Sequence, residues 1–209
     1  NMIWDAGLDD SIGTKGVDFW EGNLHLSVTN PLMKQLAEIN VSPEQIDFLG
    51  ISHFHFDHTG NANNFVNAKL ILQKEEYDAA YGNEPEKYFF SPDSYSKLDK
   101  DKAIQLTGDH DVFGDGRVII KRALGHTPGH QVLYVNLEQE GPIVISGDVV
   151  HYTKNWENMR VPSFNFDKEE SLKSMKMIAA FIKEKKARFW IQHDLEQNAG
   201  IKHAPAYYQ

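Results

Sequence analysis

Apolar residues in this chain come in short blocks broken by polar and turn-forming positions, and the period changes from one half to the other. Met2 to Trp4 reads as a short strand, followed by Asp5-Ala6-Gly7. Residues 8 to 29 carry Gly13, Gly16 and Gly22 without a clear period and read as a long loop, a kind of segment that is often functional. Asn30-Pro31 opens a helix as cap and first turn, with Leu32, Leu36 and Ile39 as its buried stripe. Ser42-Pro43-Glu44-Gln45 starts a brief helical turn before an apolar strand from Ile46 to Ile51. Beyond it the pattern predicts a short helix over 60–65, a strand over 69–72, a helix over 74–81 and a polar, irregular stretch over 82–102 with Pro85 and Pro92.

From Ala103 the pattern turns to short strands, over 103–106, 111–113, 117–122, 131–137 and 142–147. Asp115-Gly116 is a hairpin signal between two of them. The last helix is capped by Asp167, has Glu169 and Glu170 in its first turn, and turns Leu172, Met175, Ala179 and Ile182 inward. Lys183, Lys185 and Lys186 complement the negative end of its dipole. A final buried strand, 187–192, ends at His193. No repeat or low-complexity linker interrupts the chain, so residues 1–209 are read as one domain. Strands, helix, strands, helix imply two sheets face to face with helices outside, though the pattern alone does not separate this from a three-layer α/β fold.

The densest chemistry is Ser52-His53-Phe54-His55-Phe56-Asp57-His58-Thr59-Gly60, directly after the apolar strand. Imidazoles and carboxylates packed so closely are costly to bury unpaired, and a divalent cation removes that cost. In an extended segment, positions two apart face the same way, so His53 and His55 can reach one ion while Phe54 and Phe56 point elsewhere. Asp57 and His58 begin a turn and can reach a second ion. A second cluster, Gly125-His126-Thr127-Pro128-Gly129-His130, lies between two strands; one of its two histidines is expected as a ligand and the other as hydrogen-bonding support. Asp148, after Ser146-Gly147, can bridge two cations, or serve as a turn residue. His193-Asp194 ends the last strand, where a lone His is ordinarily structural. Asp5 reads either as a turn residue or as outer support for a ligand.

Composition narrows the partners. The 209 residues carry a formal net charge of −9, which argues against nucleic acid, since phosphate binding calls for clustered Lys and Arg. Two divalent cations would offset roughly four of those charges. Cys is absent, which rules out thiolate ligands, disulfides and a Cys nucleophile. No apolar run approaches the ~20 residues of a membrane helix. The opening Asn1-Met2-Ile3-Trp4 reads as the end of a strand, so an N-terminal portion is expected upstream, and any targeting signal with it. The compartment stays open between bacterial cytoplasm and export, and the oligomeric state between monomer and homodimer.

In their order along the chain, Trp4-Asp5-Ala6-Gly7, the His53–His58 motif, the His126 loop, Asp148 and His193 resemble the ligand set of the metallo-β-lactamase superfamily. The resemblance implies an α+β fold, a four-layer αββα sandwich, without the family's N-terminal strands in this chain. By position, His53, His55 and His126 would hold a first metal, and Asp57, His58 and His193 a second, with Asp148 bridging and His130 as support. His55 stands where redox di-iron members carry Glu, which favours zinc (with cobalt, manganese or iron as other fits) and hydrolysis.

Within the superfamily the chain is most similar to quorum-quenching N-acyl-homoserine lactone lactonases, through the His126 loop, the segment from Asp148 to Lys154 and the ending His193-Asp194-Leu195-Glu196-Gln197. The implied reaction opens the lactone ring by attack of a metal-bridging hydroxide. Asp57 or solvent would deliver a proton, and His151 or Tyr152 would assist the carbonyl; lactonases often place Tyr three residues after the bridging Asp, whereas here position 151 is His and Tyr152 follows. Phe19, Trp20 and Phe54 are expected along the acyl chain, although Phe19 and Trp20 also read as aromatics anchoring their loop to the core. Other hydrolases on the same metals (a broad lactonase, an organophosphate hydrolase, a β-lactamase or a thioester hydrolase) remain as alternatives, because pocket loops rather than ligands choose the substrate. A non-catalytic metal scaffold is disfavoured, since a structural zinc needs only four closed ligands.

Overall fold

The computed structural model describes residues 1–209, apart from the side chain of Trp20. Among the described residues the strands are β1 Met2–Trp4, β2 Val17–Phe19, β3 Leu24–Leu26, β4 Phe48–Gly50, β5 Lys69–Gln73, β6 Ile104–Leu106, β7 His110–Asp111, β8 Val118–Arg122, β9 Gln131–Leu137, β10 Gly141–Ile145 and β11 Arg188–Trp190. The helices are α1 Leu32–Glu38, α2 Phe56–Thr59, α3 Lys74–Ala80, α4 Thr153–Glu157, α5 Lys168–Lys185 and α6 Leu195–Asn198. One sheet has the order β1-β4-β5-β6, all parallel. The other has the order β11-β10-β9-β8-β7, antiparallel except for the β10–β11 pair.

Alternation along the strands sorts the apolar side chains into three layers. In β5, Ile71 faces the other sheet while Leu70 and Leu72 face outward. In β9, Leu133 and Val135 face inward while Val132 and Tyr134 face α5. The layer between the sheets is built from Ile71, Leu106, Ile120 and Leu133, with Trp4, Phe48 and Ile145 packed on them. The outer face of the parallel sheet is covered through Leu36 of α1 and Ala79 and Ala80 of α3, and that of the antiparallel sheet through Met175 and Ile178 of α5. The result is the expected αββα sandwich.

Several local expectations need correction. Residues 8–29 are not all loop: β2 and β3 pair as a small, exposed hairpin. The short helix expected at 60–65 comes earlier, as α2, with a single 3₁₀ turn over Ala62–Asn64. Gly60 closes α2 because the chain there is pressed on the 7–9 backbone; a Cβ at Gly60 would lie 2.1 Å from the Asp9 nitrogen. Ile39 follows the end of α1 and is exposed rather than part of its stripe. The buried face of α5 is Ser171, Ser174, Met175 and Ile178; Leu172 and Ile182 flank it. Asp167 caps α5 as expected, accepting the Glu170 N–H at 2.9 Å.

The start of α1 is held from outside its own segment. Pro31 has no N–H to offer, and the Asp10 carboxylate accepts the Leu32 and Met33 N–H groups at 2.8 and 3.0 Å, doing the work expected of Asn30. Asp10→Ala should therefore lower the unfolding free energy by about 1 kcal/mol, read as a shift of the urea midpoint at constant slope, whereas Asn30→Ala should leave the midpoint nearly unmoved.

Candidate metal centre

The site lies where the strand ends of the two sheets meet. The 51–58 segment leaves β4 and carries His53, His55, Asp57 and His58. The loop between β8 and β9 carries His126 and His130, Asp148 follows β10, and His193 follows β11. All seven expected ligands are brought together. Ligand atoms of His53, His55, His126 and Asp148 lie within 4.8 Å of one another, as do those of Asp57, His58 and His193.

Hydrogen bonds on the outer side of each ring decide which nitrogen faces inward. His55 Nε2–H donates to the Tyr88 carbonyl at 3.1 Å, so Nδ1 carries the lone pair. His126 Nδ1–H donates to Asn165 Oδ1 at 3.0 Å, so Nε2 carries it. His53 Nδ1 is 3.1 Å from Ser52 Oγ, which itself donates to Asp5, so His53 Nε2 faces inward as well. His55 Nδ1 is then 2.9 Å from His53 Nε2 and 3.1 Å from His126 Nε2. Three lone pairs at these distances repel unless a cation sits among them, and the Asp148 Oδ2 carboxylate oxygen completes the group at 3.3 Å from His126 Nε2 and 3.7 Å from His53 Nε2.

The second group shows the same logic. His58 Nδ1–H donates to Asp5 Oδ2 at 2.9 Å, which leaves Nε2 3.3 Å from Asp148 Oδ1. His193 Nε2 is 3.2 Å from the same oxygen and 3.5 Å from Asp57 Oδ2. Among the described residues, His58 Nε2, Asp148 Oδ1 and His193 Nε2 are buried without a hydrogen-bond partner, and all three point at one spot. Buried polar atoms are almost always satisfied, so a donor set with shared orphans fits a bound divalent cation. With one carboxylate oxygen turned to each group, Asp148 is placed to serve both.

The electrostatics agree. Burial and the neighbouring histidines His58 and His55 hold His53 well below the usual imidazole range. Burial and His126 likewise lower His55. Burial also disfavours charge on His58, but the carboxylates of Asp148 and Asp5 outweigh it and raise the ring well above its ordinary value. Burial pushes the Asp148 carboxyl up, yet His58 and His53 beside it hold it well below the usual carboxylate range. The centre thus favours the ionised form of Asp148 and positive charge on His58 beside it.

Outer support comes partly from residues the sequence marked. His130 donates Nδ1–H to the Ala123 carbonyl at 2.9 Å and accepts the Asp148 N–H on Nε2 at 2.7 Å; burial, then His126, pushes its pKa down to about 3. Asp5 is support rather than a mere turn residue, accepting from Ser52 N–H at 2.6 Å, Ser52 Oγ at 2.9 Å, His58 and the Gln192 amide at 3.1 Å. Asn165, which orients His126, was not legible: an Asn in a loop carries no signal of a partner 39 positions away. Glu76 was not singled out either. Its carboxylate, pushed up to about 7 by burial, bonds to Phe54, Thr127 and Gly129, and the one available hint was an acidic residue at helical spacing from Ala79 and Ala80.

The pocket residues divide. Phe54 does not line the site: it is fully buried in the core, with its ring 4.7 Å from that of Tyr95, because it points away from the side on which His53 and His55 lie. Phe19 is half-exposed and stacks on Phe56, the neighbour of Asp57, with ring centroids 5.8 Å apart. The Trp20 side chain lies outside the described residues. His151 turns in, with Nε2 3.1 Å from Asp148 Oδ2 and its ring stacked on His193 at 5.3 Å, whereas Tyr152 is 55% exposed at the rim. A cleft of about 610 Å³ opens beside the second group, with Asp57, His58 and His193 on one wall and Leu26 and Leu32 on another.

Asp5→Asn keeps the shape but places an amide where His58 Nδ1 and the Ser52 N–H both need an acceptor. Metal uptake at the second group should weaken by about 10–100-fold, measured by chelator competition, with uptake at the first group less affected.

The model of the metallo-β-lactamase superfamily matches residues 1–181. An N-acyl homoserine lactonase from a Bacillus species is 31% identical over 213 residues, covering 99% of this chain and 81% of that protein. Among solved structures, an AiiA variant of B. thuringiensis with N-decanoyl-L-homoserine bound at the active site aligns over all of this chain and 82% of that one, with a TM-score of 0.83 at 26% identity. An N-acyl homoserine lactone hydrolase with its product N-hexanoyl-L-homoserine at the catalytic metal centre aligns over all of this chain and 82% of that one, with a TM-score of 0.82 at 26% identity. With the sandwich, the two ligand groups and the shared Asp148 in place, this chain belongs to the metallo-β-lactamase superfamily.

Proposed function

We propose that this protein hydrolyses the ring ester of N-acyl homoserine lactones with the help of two divalent cations, zinc in the first place. The observation that carries the reading is the convergence of inward imidazole lone pairs and both Asp148 oxygens on two adjacent points, in a chain similar over nearly its whole length to lactonases. His53, His55 and His126 would hold one cation, Asp57, His58 and His193 the other, and Asp148 both. The all-nitrogen and oxygen donor set suits zinc. When bound, such a pair lowers the pKa of water toward neutrality and polarises a carbonyl oxygen.

The protein's own groups account for the rest. Water adds to the lactone carbonyl carbon, the ring C–O bond at that carbon breaks, and the ring oxygen leaves as a hydroxyl. Asp57, with its side chain 25% exposed beside the cleft, is placed to carry the proton to that oxygen. His151, held against Asp148 and His193, is better placed than Tyr152 to donate to the oxyanion. Phe19 stacked on Phe56 offers an aromatic surface at the mouth for the acyl chain. No helix among the described residues is long and apolar enough to cross a membrane.

Zinc-loaded protein should open acyl-homoserine lactones of several chain lengths faster than plain γ- or δ-lactones, a phosphotriester, a cephalosporin or a thioester. Lactones left intact while another member of that panel turns over would overturn the reading. Chelation should abolish activity, and zinc, cobalt or manganese should restore it. Asp148→Asn should reduce metal content and cut ring opening by more than the roughly 100-fold that loss of an outer hydrogen-bond partner costs. His151→Phe should slow kcat by about 100-fold and Tyr152→Phe by less; the reverse order would transfer the oxyanion role to Tyr152.

A further inference from the structure

Glu76 sits on α3, outside every loop that carries a ligand, and it is fully buried. Among the described residues no Lys or Arg hydrogen-bonds to it; three neutral donors surround it instead. Oε1 accepts the N–H of Phe54, the residue between His53 and His55, at 2.9 Å. Oε2 accepts the Gly129 N–H at 2.7 Å and the hydroxyl of Thr127, the residue after His126, at 2.8 Å. The first of these segments leaves the parallel sheet and the second connects two strands of the antiparallel sheet. One carboxylate therefore ties together the two loops that present the imidazole trio.

We propose that Glu76 is the positioning residue that sets the distance of His126 from His53 and His55, and so the metal affinity of the first group. The inference rests on the assignment of those three histidines as ligands. An apolar contact would also join the loops, but hydrogen bonds of 2.7–2.9 Å are directional and fix their relative height. The contact is close by construction: a Cβ at Gly129 would lie 2.2 Å from the Glu76 nitrogen, so the loop rests on the α3 backbone itself. The residue type follows from the donors. Burial raises this carboxyl to about 7, and above that pH the ionised form only accepts, so it can take all three without presenting a hydrogen of its own. A glutamine in its place must aim its NH₂ either at Phe54 N–H or at Gly129 N–H, and each orientation sets donor against donor.

The experiment compares the wild type with Glu76→Gln, Thr127→Val and Tyr95→Phe. The Tyr95 hydroxyl bonds to the Ala80 carbonyl of the same helix at 3.0 Å; Phe removes only that bond and keeps the ring packed on Phe54, so this variant serves as a stability control. Cobalt and zinc dissociation constants are measured by chelator competition, alongside the visible spectrum of the cobalt-loaded protein and the thermal midpoint. Glu76→Gln should weaken metal binding by about tenfold or more and alter the cobalt spectrum, with Thr127→Val intermediate. Tyr95→Phe should lower the midpoint while keeping affinity and spectrum. Wild-type affinity and spectrum in Glu76→Gln overturn the proposal, as does a loss in Tyr95→Phe that tracks its melting. Should Glu76→Gln fail to fold, an unchanged Thr127→Val would overturn it. A wild type that takes up no cobalt overturns the ligand assignment, and the proposal with it.

Discussion

Three imidazole lone pairs, that of His55 held 2.9 Å from His53 and 3.1 Å from His126, are the constraint on which this structure turns. Without a cation among them they repel, so nothing local favours the arrangement. It exists because each ring is fastened from behind, to the Tyr88 carbonyl, Asn165 and Ser52, and each fastening is made by a different part of the chain. The outer hydrogen bonds choose the tautomer, the tautomer chooses the inward nitrogen, and the inward nitrogens choose the ion.

The sandwich makes this possible by bringing the ends of two sheets to one corner. Each sheet alone would present its loops to water. Packed through Ile71, Leu106, Ile120 and Leu133, they bury the loops in a place where polar groups have to be paired. Asp5 joins Ser52 and His58 to Gln192 across the sheets, and His130 holds the Asp148 backbone. The outward ring nitrogens of His53, His55, His58 and His126 are satisfied by protein, while the atoms facing the centre at His58, Asp148 and His193 are orphaned among the described residues. That division separates a metal centre from a merely polar core.

Substrate choice belongs to another layer of the molecule. The ligand set is common to many hydrolases; here a cleft lies beside Asp57 and His193, β2 brings Phe19 onto Phe56 of α2, and His151 turns inward after Asp148. The small β2–β3 hairpin matters here, because it carries Phe19 out of what reads in sequence as an unstructured stretch.

What the sequence determined on its own was whatever depends on neighbours along the chain. Strand alternation, the Asp167 cap and the spacing of His53, His55, Asp57 and His58 are local, and the structure keeps them. The same alternation turns Phe54 away from the ligand face, and the structure buries it in the core rather than along the acyl chain. Only the tertiary structure decided matters of distance between remote segments: that Asp10 rather than Asn30 caps α1, that Asn165 orients His126, and that Glu76 ties two sheets' loops together. The reason is physical. A hydrogen bond across 20 to 50 positions leaves no periodicity, because its partners are chosen by packing of the sheets and not by the pitch of a helix or the pleat of a strand.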